Sequence, residues 1–327
     1  MTYSFFGTCS NDYFEFFECL KSILNQSLLP KEIILVNSGE NNIKKDIQFR
    51  IKDLPIKLIY IHIYLPRVDA LNLALDKSTS KYSFRFDTRS RFAKDYAKNA
   101  IQILNNKLID AKVVGGVPRA ISSGNSYEAN LCSKVMSRNY TFFYPRHRRI
   151  NFSGYSSSVY LGCFDTKLLK KIRFRENSKL ISEDSQIIKD FKNNNYKTFI
   201  SEKICVFYKC RSSFKNLLNL FNTYGYCRAN TIIFTKEIFI SKRHLIVLFS
   251  FLLIGLAFKN ISLYFLFIFP FFIFLLNLSS ELFFYKKKIE LIIPFCSTLC
   301  QFSWICGFLW RLMTIFKYEQ KDSNFIS

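Results

Sequence analysis

The chain has 327 residues, and 47 Lys and Arg against 24 Asp and Glu leave a net charge of +23. Hydrophobic residues make up 49% of it, with 37 Phe and 18 Tyr, which excludes an intrinsically disordered chain. Ten glycines, seven prolines and no short recurring period exclude collagen-like and low-complexity architectures.

The amino terminus, Met1-Thr2-Tyr3-Ser4, has neither a basic leader nor a long apolar run, so it is expected to stay in the cytosol. Tyr3–Thr8 reads as a strand. Tyr13–Leu24 then sets Phe14, Phe17, Leu20, Ile23 and Leu24 at helical spacing behind a possible Asn11/Asp12 cap. Glu32–Val36 is a β-rich run closed by Asn37-Ser38-Gly39, and Ile56–Ile63 is another. Pro66 begins a helix through Val68, Leu71 and Leu75, and Tyr82–Phe86 is a fourth strand running into Asp87. Repeated βα units of this kind predict a mostly parallel sheet covered on both faces. In such sheets ligands sit beyond the carboxyl ends of the strands. That rule selects Thr8–Asn11, Asn37-Ser38-Gly39 and Asp87-Thr88-Arg89, each of which also reads as plain turn chemistry.

The carboxyl-terminal part differs in kind. Leu245–Leu276 is broken only by Lys259-Asn260, Ile289–Phe316 is again mostly apolar, and neither shows a polar face of any width. Seven basic and four acidic residues lie from His244 onward, so nearly all of the positive excess sits in residues 1–243. This division predicts a cytosolic domain, 1–243, and a membrane region, 244–327, of two or three hydrophobic helices against an anionic leaflet. A hairpin of the first two would return Lys286-Lys287-Lys288 to the cytosolic side. No recognition motif accompanies the charge, so nucleic acid is not expected as a partner. The ten cysteines form no CxxC pair and the three histidines are scattered, which argues against a zinc site or a disulfide framework. The cluster Arg146-His147-Arg148-Arg149 reads equally as a solvated or lipid-facing patch and as part of a site.

Seven runs fall in a telling order: SILNQSLLPKEIILVNSG (Ser22–Gly39), PRVDALNLAL (Pro66–Leu75), YSFRFDTRSRF (Tyr82–Phe92), VVGGV (Val113–Val117), YLGCF (Tyr160–Phe164), SED (Ser182–Asp184) and YGYCR (Tyr224–Arg228). Together they resemble the inverting glycosyltransferase family 2, and within it the succinoglycan and exopolysaccharide branch. The resemblance implies an α/β GT-A fold, a Rossmann-like, mostly parallel sheet of the nucleotide-diphospho-sugar transferases, with carboxyl-terminal transmembrane helices. It implies an enzyme of the hexosyltransferase type (EC 2.4) that uses a nucleotide-sugar donor such as a UDP-sugar.

On the same resemblance, Thr8, Asn11, Asn37, Ser38 and Arg67 would bind the donor, Asn37 standing where the family usually has Asp. Asp87 matches the first carboxylate of the metal motif and would hold Mg2+ or Mn2+ against the diphosphate. Arg89 occupies the third position, where a guanidinium could neutralise the diphosphate directly. Asp184 matches the catalytic base; the other reading of Glu183-Asp184 is a pair of acids at the start of a helix over Ser185–Phe191. Glu183, Arg211 and Arg228 would meet the acceptor or the departing diphosphate. Val113-Gly115-Gly116 reads as a strand passing close to the sugar or as a turn. The expected acceptor is a polyisoprenyl-linked glycan, and the expected location is the cell inner membrane, multi-pass, with the catalytic domain on the cytoplasmic face. The alternative is a catalytically silent, membrane-anchored nucleotide-sugar-binding or adaptor protein of the same fold.

Overall fold

Where apolar runs alternate with amphipathic segments, the chain builds alternating strands and helices. The computed structural model describes residues 2–175, 182–235, 264–285 and 290–323. Two compact units emerge: Met1–Ile121, Arg146–Ser178 and Glu183–Lys209 in one, and Ser122–Pro145, Lys179–Ser182 and Cys210–Ser327 in the other.

The first unit begins with β1 (Tyr3–Cys9), α1 (Tyr13–Leu24), β2 (Glu32–Asn37), α2 (Lys44–Ile51), β3 (Lys57–His62), α3 (Arg67–Asp76) and β4 (Tyr82–Phe86). β1 pairs in parallel with both β2 and β4, and β2 with β3. Neighbouring residues of a strand point to opposite faces, so Phe5 and Ile33 join one apolar core while Phe6 and Ile34 join the other. Both faces are therefore covered, as parallel strands require.

Beyond β4 the unit continues with β5 (Ser90–Phe92), α4 (Tyr96–Leu104), β6 (Ala111–Ile121), β7 (Gly154–Tyr155), β8 (Tyr160–Asp165), α6 (Thr166–Ile172), α7 (Glu183–Asn193) and β9 (Lys197–Lys209). The sheet runs β3-β2-β1-β4-β8-β6-β9-β5, with β7 on β9. β8 enters antiparallel between β4 and β6, a long-range insertion that no local pattern announces. Val113-Gly115-Gly116 lies inside β6, so the turn reading is replaced by a strand with a register shift against β9. Gly116 is there for space: a Cβ on it would sit 1.9 Å from the Ile204 carbonyl oxygen.

The second unit holds α5 (Tyr127–Ser137), a 3-10 turn (Asn139–Phe142), α8 (Phe214–Thr235), α9 (Tyr264–Phe284) and α10 (Ile292–Ser323). The expected boundary at 243/244 and the apolar segment 245–258 lie outside the described residues. Among the described residues one helix stretch, Ile292–Thr314, is long and apolar enough to cross a membrane, and Pro270–Phe284 is a shorter apolar one. The expectation of several crossings finds no support in them.

Gly116→Ala must push β6 away from the Ile204 carbonyl, at a cost of about 1–3 kcal/mol. Chemical denaturation of the variant should show that loss, and unchanged stability would mean that the approach relaxes freely.

Candidate active site

The centre of the first unit is an arginine in a strand. Arg85 lies in β4 between Phe84 and Phe86, pairs in register with Phe6 of β1, and is fully buried. A guanidinium in that position is tolerable only if carboxylates meet it. Its Nη2 donates to Glu183 Oε1 at 3.0 Å and to Asp87 Oδ1 at 3.3 Å, and its Nη1 donates to Asp184 Oδ1. Arg67, in the first turn of α3, closes a ring over the same acids: Nη2 donates to Asp87 Oδ1 at 2.7 Å and Nε to Glu183 Oε1 at 2.8 Å.

Two topological facts deliver these groups. Asp87 follows β4, at the carboxyl end where ligands collect, and Glu183 and Asp184 form the first turn of α7. The helix dipole favours both acids at that end. Three carboxylates thus share two arginines, and the excess negative charge falls unevenly. Burial alone would raise the Asp87 carboxyl, but Arg67 and Arg85 outweigh it and bring it down to about 2. Glu183, also buried, is held below its usual range by the same two arginines. Asp184 goes the other way: burial, with Glu183 and Asp87 adding to it, overrides Arg85 and pushes its carboxyl up to about 6.

Exposure separates the roles further. Glu183 is shut in, Asp87 keeps 23% of its side chain accessible, and Asp184 keeps 40%. Asp184 is therefore the acid of the three with both solvent access and a raised proton affinity. A carboxylate so placed can take a proton from an incoming hydroxyl.

The remaining expected residues distribute as follows. Thr8 and Asn11 flank the end of β1, and Asn11 Oδ1 accepts from the Glu40 backbone N–H at 3.0 Å. Asn37 is fully buried at the end of β2. Its Nδ2 donates to Asn41 O and to Tyr60 Oη, and its Oδ1 accepts from the Gly39 N–H, so the amide edge expected to meet a base builds its own loop instead. Ser38 Oγ is buried with no hydrogen-bond partner among the described residues. Thr88 Oγ1 donates to Asp12 Oδ2, tying the loop after β4 to the loop after β1. Arg89 is half-buried in that loop, and its carbonyl accepts from the Lys209 N–H at 2.9 Å. Arg211 and Arg228 belong to the second unit. Arg85 was missed in the sequence reading, although a lone charge inside the apolar run YSFRF was its signal.

A divalent cation fits this donor set poorly. Asp87 Oδ1 already faces two guanidinium groups, Arg89 stands in the third position of the motif, and no group of three or more His, Cys, Asp or Glu among the described residues could hold a metal ion.

The family description "Glycosyl transferase family 2" matches residues 15–167. No curated protein sequence matches the chain. Among solved structures, the chain is similar to the mannosyltransferase PcManGT from Pyrobaculum calidifontis in complex with GDP-Man and Mn2+, with a TM-score of 0.61 at 14% identity over 95% of this chain and 86% of that one. It also aligns with S. aureus TarS 1-349 in complex with UDP, at a TM-score of 0.47 and 12% identity, over 94% of this chain and 90% of that one. The α/β sheet is therefore of the GT-A type. The match to glycosyl transferase family 2 over residues 15–167, together with this fold, supports an enzyme of the glycosyltransferase type.

Arg85→Met leaves Glu183 buried beside one arginine instead of two, and should cost about 3–5 kcal/mol in urea denaturation. Arg67→Met, at a side chain 47% exposed, should cost no more than about 1 kcal/mol. Equal losses would show that Arg85 is not the keystone of the cluster.

Proposed function

We propose that the protein is an inverting glycosyltransferase that moves a sugar from a nucleoside-diphosphate donor, a UDP-sugar, to a polyisoprenyl-linked glycan in surface polysaccharide synthesis. The observation that carries this reading is that Asp87 and Asp184, nearly a hundred positions apart in sequence, meet on the single guanidinium of Arg85. The donor carboxylate and the candidate base are then neighbours in one site.

Inversion in one displacement needs a carboxylate that accepts the acceptor hydroxyl's proton as that oxygen attacks the anomeric carbon opposite the leaving diphosphate. Asp184 has the access and the raised proton affinity for that task. Arg85 holds it in place. Thr8, Asn11 and Ser38 line the donor side, and Ser38 Oγ still lacks a partner that a ribose or base could supply. Positive charge facing the diphosphate comes from Arg67 and Arg89, through the bidentate contacts guanidinium makes with phosphate. The reading gives no step to Mg2+ or Mn2+. The polyisoprenyl acceptor and a position at the cytoplasmic face of the inner membrane follow from the apolar carboxyl-terminal sequence and the +23 charge.

Transfer by the purified full chain, scored over a panel of nucleotide sugars with a lipid-linked acceptor, should fall by about 10²–10⁴ in Asp184→Asn. Because Asp184 works ionised and its carboxyl sits at about 6, kcat/KM of the parent should be flat above that pH and drop tenfold per unit below it. Undiminished transfer by the variant, or a profile with no acidic limb, overturns the assigned base. Tight donor binding without turnover on any acceptor would favour the adaptor reading.

The same assay in EDTA should retain its rate. Loss of transfer restored by Mn2+ would mean that Arg67 yields Asp87 to a metal when the donor arrives, and would remove the arginines from that role.

A further inference from the structure

Two helices of the second unit bury polar side chains, on α10 beside Ile293, Trp304 and Phe308, and expose rows of hydrocarbon. On α9 the buried face carries Asn277 and Glu281 with Ile273, whereas Phe271, Phe272, Leu275, Leu276 and Phe283 are exposed. On α10 Ser297, Thr298 and Gln301 are buried while Ile292, Phe295, Leu299, Trp310 and Met313 are exposed. Water would select the opposite arrangement.

The buried polar groups are all engaged within the unit. Arg138 grips Glu281 through Nε and Nη2 at 2.8 and 2.7 Å, and Tyr140 Oη donates to the same carboxylate at 2.7 Å. Asn277 Nδ2 donates to Thr298 Oγ1 and Gln301 Oε1, and Gln301 Nε2 donates to the Tyr140 carbonyl. What is left outside is hydrocarbon.

The apolar positions on α10 recur at Ile292, Phe295, Leu299, Cys306, Trp310 and Met313, a single stripe along the helix. α8 runs along one side of that stripe and reaches it at Ser303: Asn222 Nδ2 donates to Ser303 O at 3.2 Å, Ser303 Oγ donates to Leu218 O at 2.7 Å, and Arg311 Nε donates to Asn230 Oδ1. A Cβ on Gly225 would sit 1.9 Å from the Trp304 carbonyl oxygen, so the two helices touch through backbone. Yet α8 exposes Lys215, Asn216, Asn219 and Asn222. A perpendicular crossing by α10 would carry these polar side chains into hydrocarbon, Asn219 and Asn222 near the level of the middle of the span.

We infer that α9 and α10 form a monotopic membrane face: both helices lie in the plane of an anionic bilayer, with the Phe271–Phe283 and Ile292–Met313 rows sunk into its upper acyl region. The run Lys286-Lys287-Lys288 between the two helices in sequence complements acidic headgroups. This inference is independent of the transferase reading.

The chain's two tryptophans both lie on α10, Trp304 at 4% exposure and Trp310 at 62%, which makes depth measurable. The full chain is bound to phosphatidylglycerol vesicles doped with phosphatidylcholine brominated either near the carbonyl end of the acyl chain or near its terminal methyl. Trp304→Phe leaves Trp310 as reporter, which should lose most of its emission to the shallow bromines and little to the deep ones. Trp310→Phe leaves Trp304, which should lose little to either. Leu299→Trp in a background of Trp304→Phe and Trp310→Phe moves the reporter toward mid-helix and should again read shallow. Vesicles of phosphatidylcholine alone should bind more weakly.

Deep quenching at position 299 would show that α10 crosses the bilayer and overturn the inference. So would unquenched Trp310, which would mean that a second copy or the apolar segment 245–258 covers the stripe. Should Trp304→Phe fail to fold by near-ultraviolet circular dichroism, the difference in quenching between the parent chain and Trp310→Phe isolates the same reporter.

Discussion

A buried guanidinium holds the first unit's chemistry together. Arg85 is carried into the sheet by β4 and would be untenable there without negative partners. Its need for carboxylates draws in Asp87 from the strand's own end and Glu183 and Asp184 from the start of α7. The parallel sheet supplies the frame, because β4 ends where the loop after β1 also ends, and Thr88 ties the two loops through Asp12. Electrostatics then sorts three chemically similar acids into different states. Asp87 and Glu183 are locked as anions by paired arginines, whereas Asp184 shares only Arg85 and retains affinity for a proton.

Much of this was legible in the sequence, and for reasons that can be named. The strands Tyr3–Thr8, Glu32–Val36 and Tyr82–Phe86 were readable because apolar residues fill both faces of a covered parallel strand. Asp87 and Asp184 stood out through the order of their motifs, and the structure brings them within reach of one side chain. What stayed hidden depended on contacts between distant segments. The insertion of β8 between β4 and β6 leaves no local trace. Asn37 looked like an open hydrogen-bonding edge, but Tyr60, Asn41 and Gly39, brought around it by the fold, use that edge up. Arg85 was overlooked because a strand pattern is judged by its apolar residues, and its one exception was the informative position.

The apolar carboxyl-terminal segments illustrate a different limit. Composition reports that a helix is greasy but not which side of it faces protein. Glu281 and Gln301 look like blemishes in membrane spans until Arg138 and Tyr140 are seen to hold them. Once those partners are known, the same polar residues explain how α9 and α10 turn their hydrocarbon outward.

The partners come from an unexpected stretch of chain. Residues 122–145, which follow β6 and precede β7, belong to the second unit, where Arg138 clasps Glu281 and Thr141 shares a hydrogen bond with Ser297. The two units are thus interleaved along the polypeptide instead of following one another. Cutting the chain after residue 209 to obtain a soluble fragment would strip Arg138, Tyr140 and Thr141 of their counterparts and expose the apolar underside of α5. A trimmed version would have to excise that excursion too and rejoin β6 to β7 with a short linker, and fusion partners grafted onto the carboxyl terminus would inherit both pieces together.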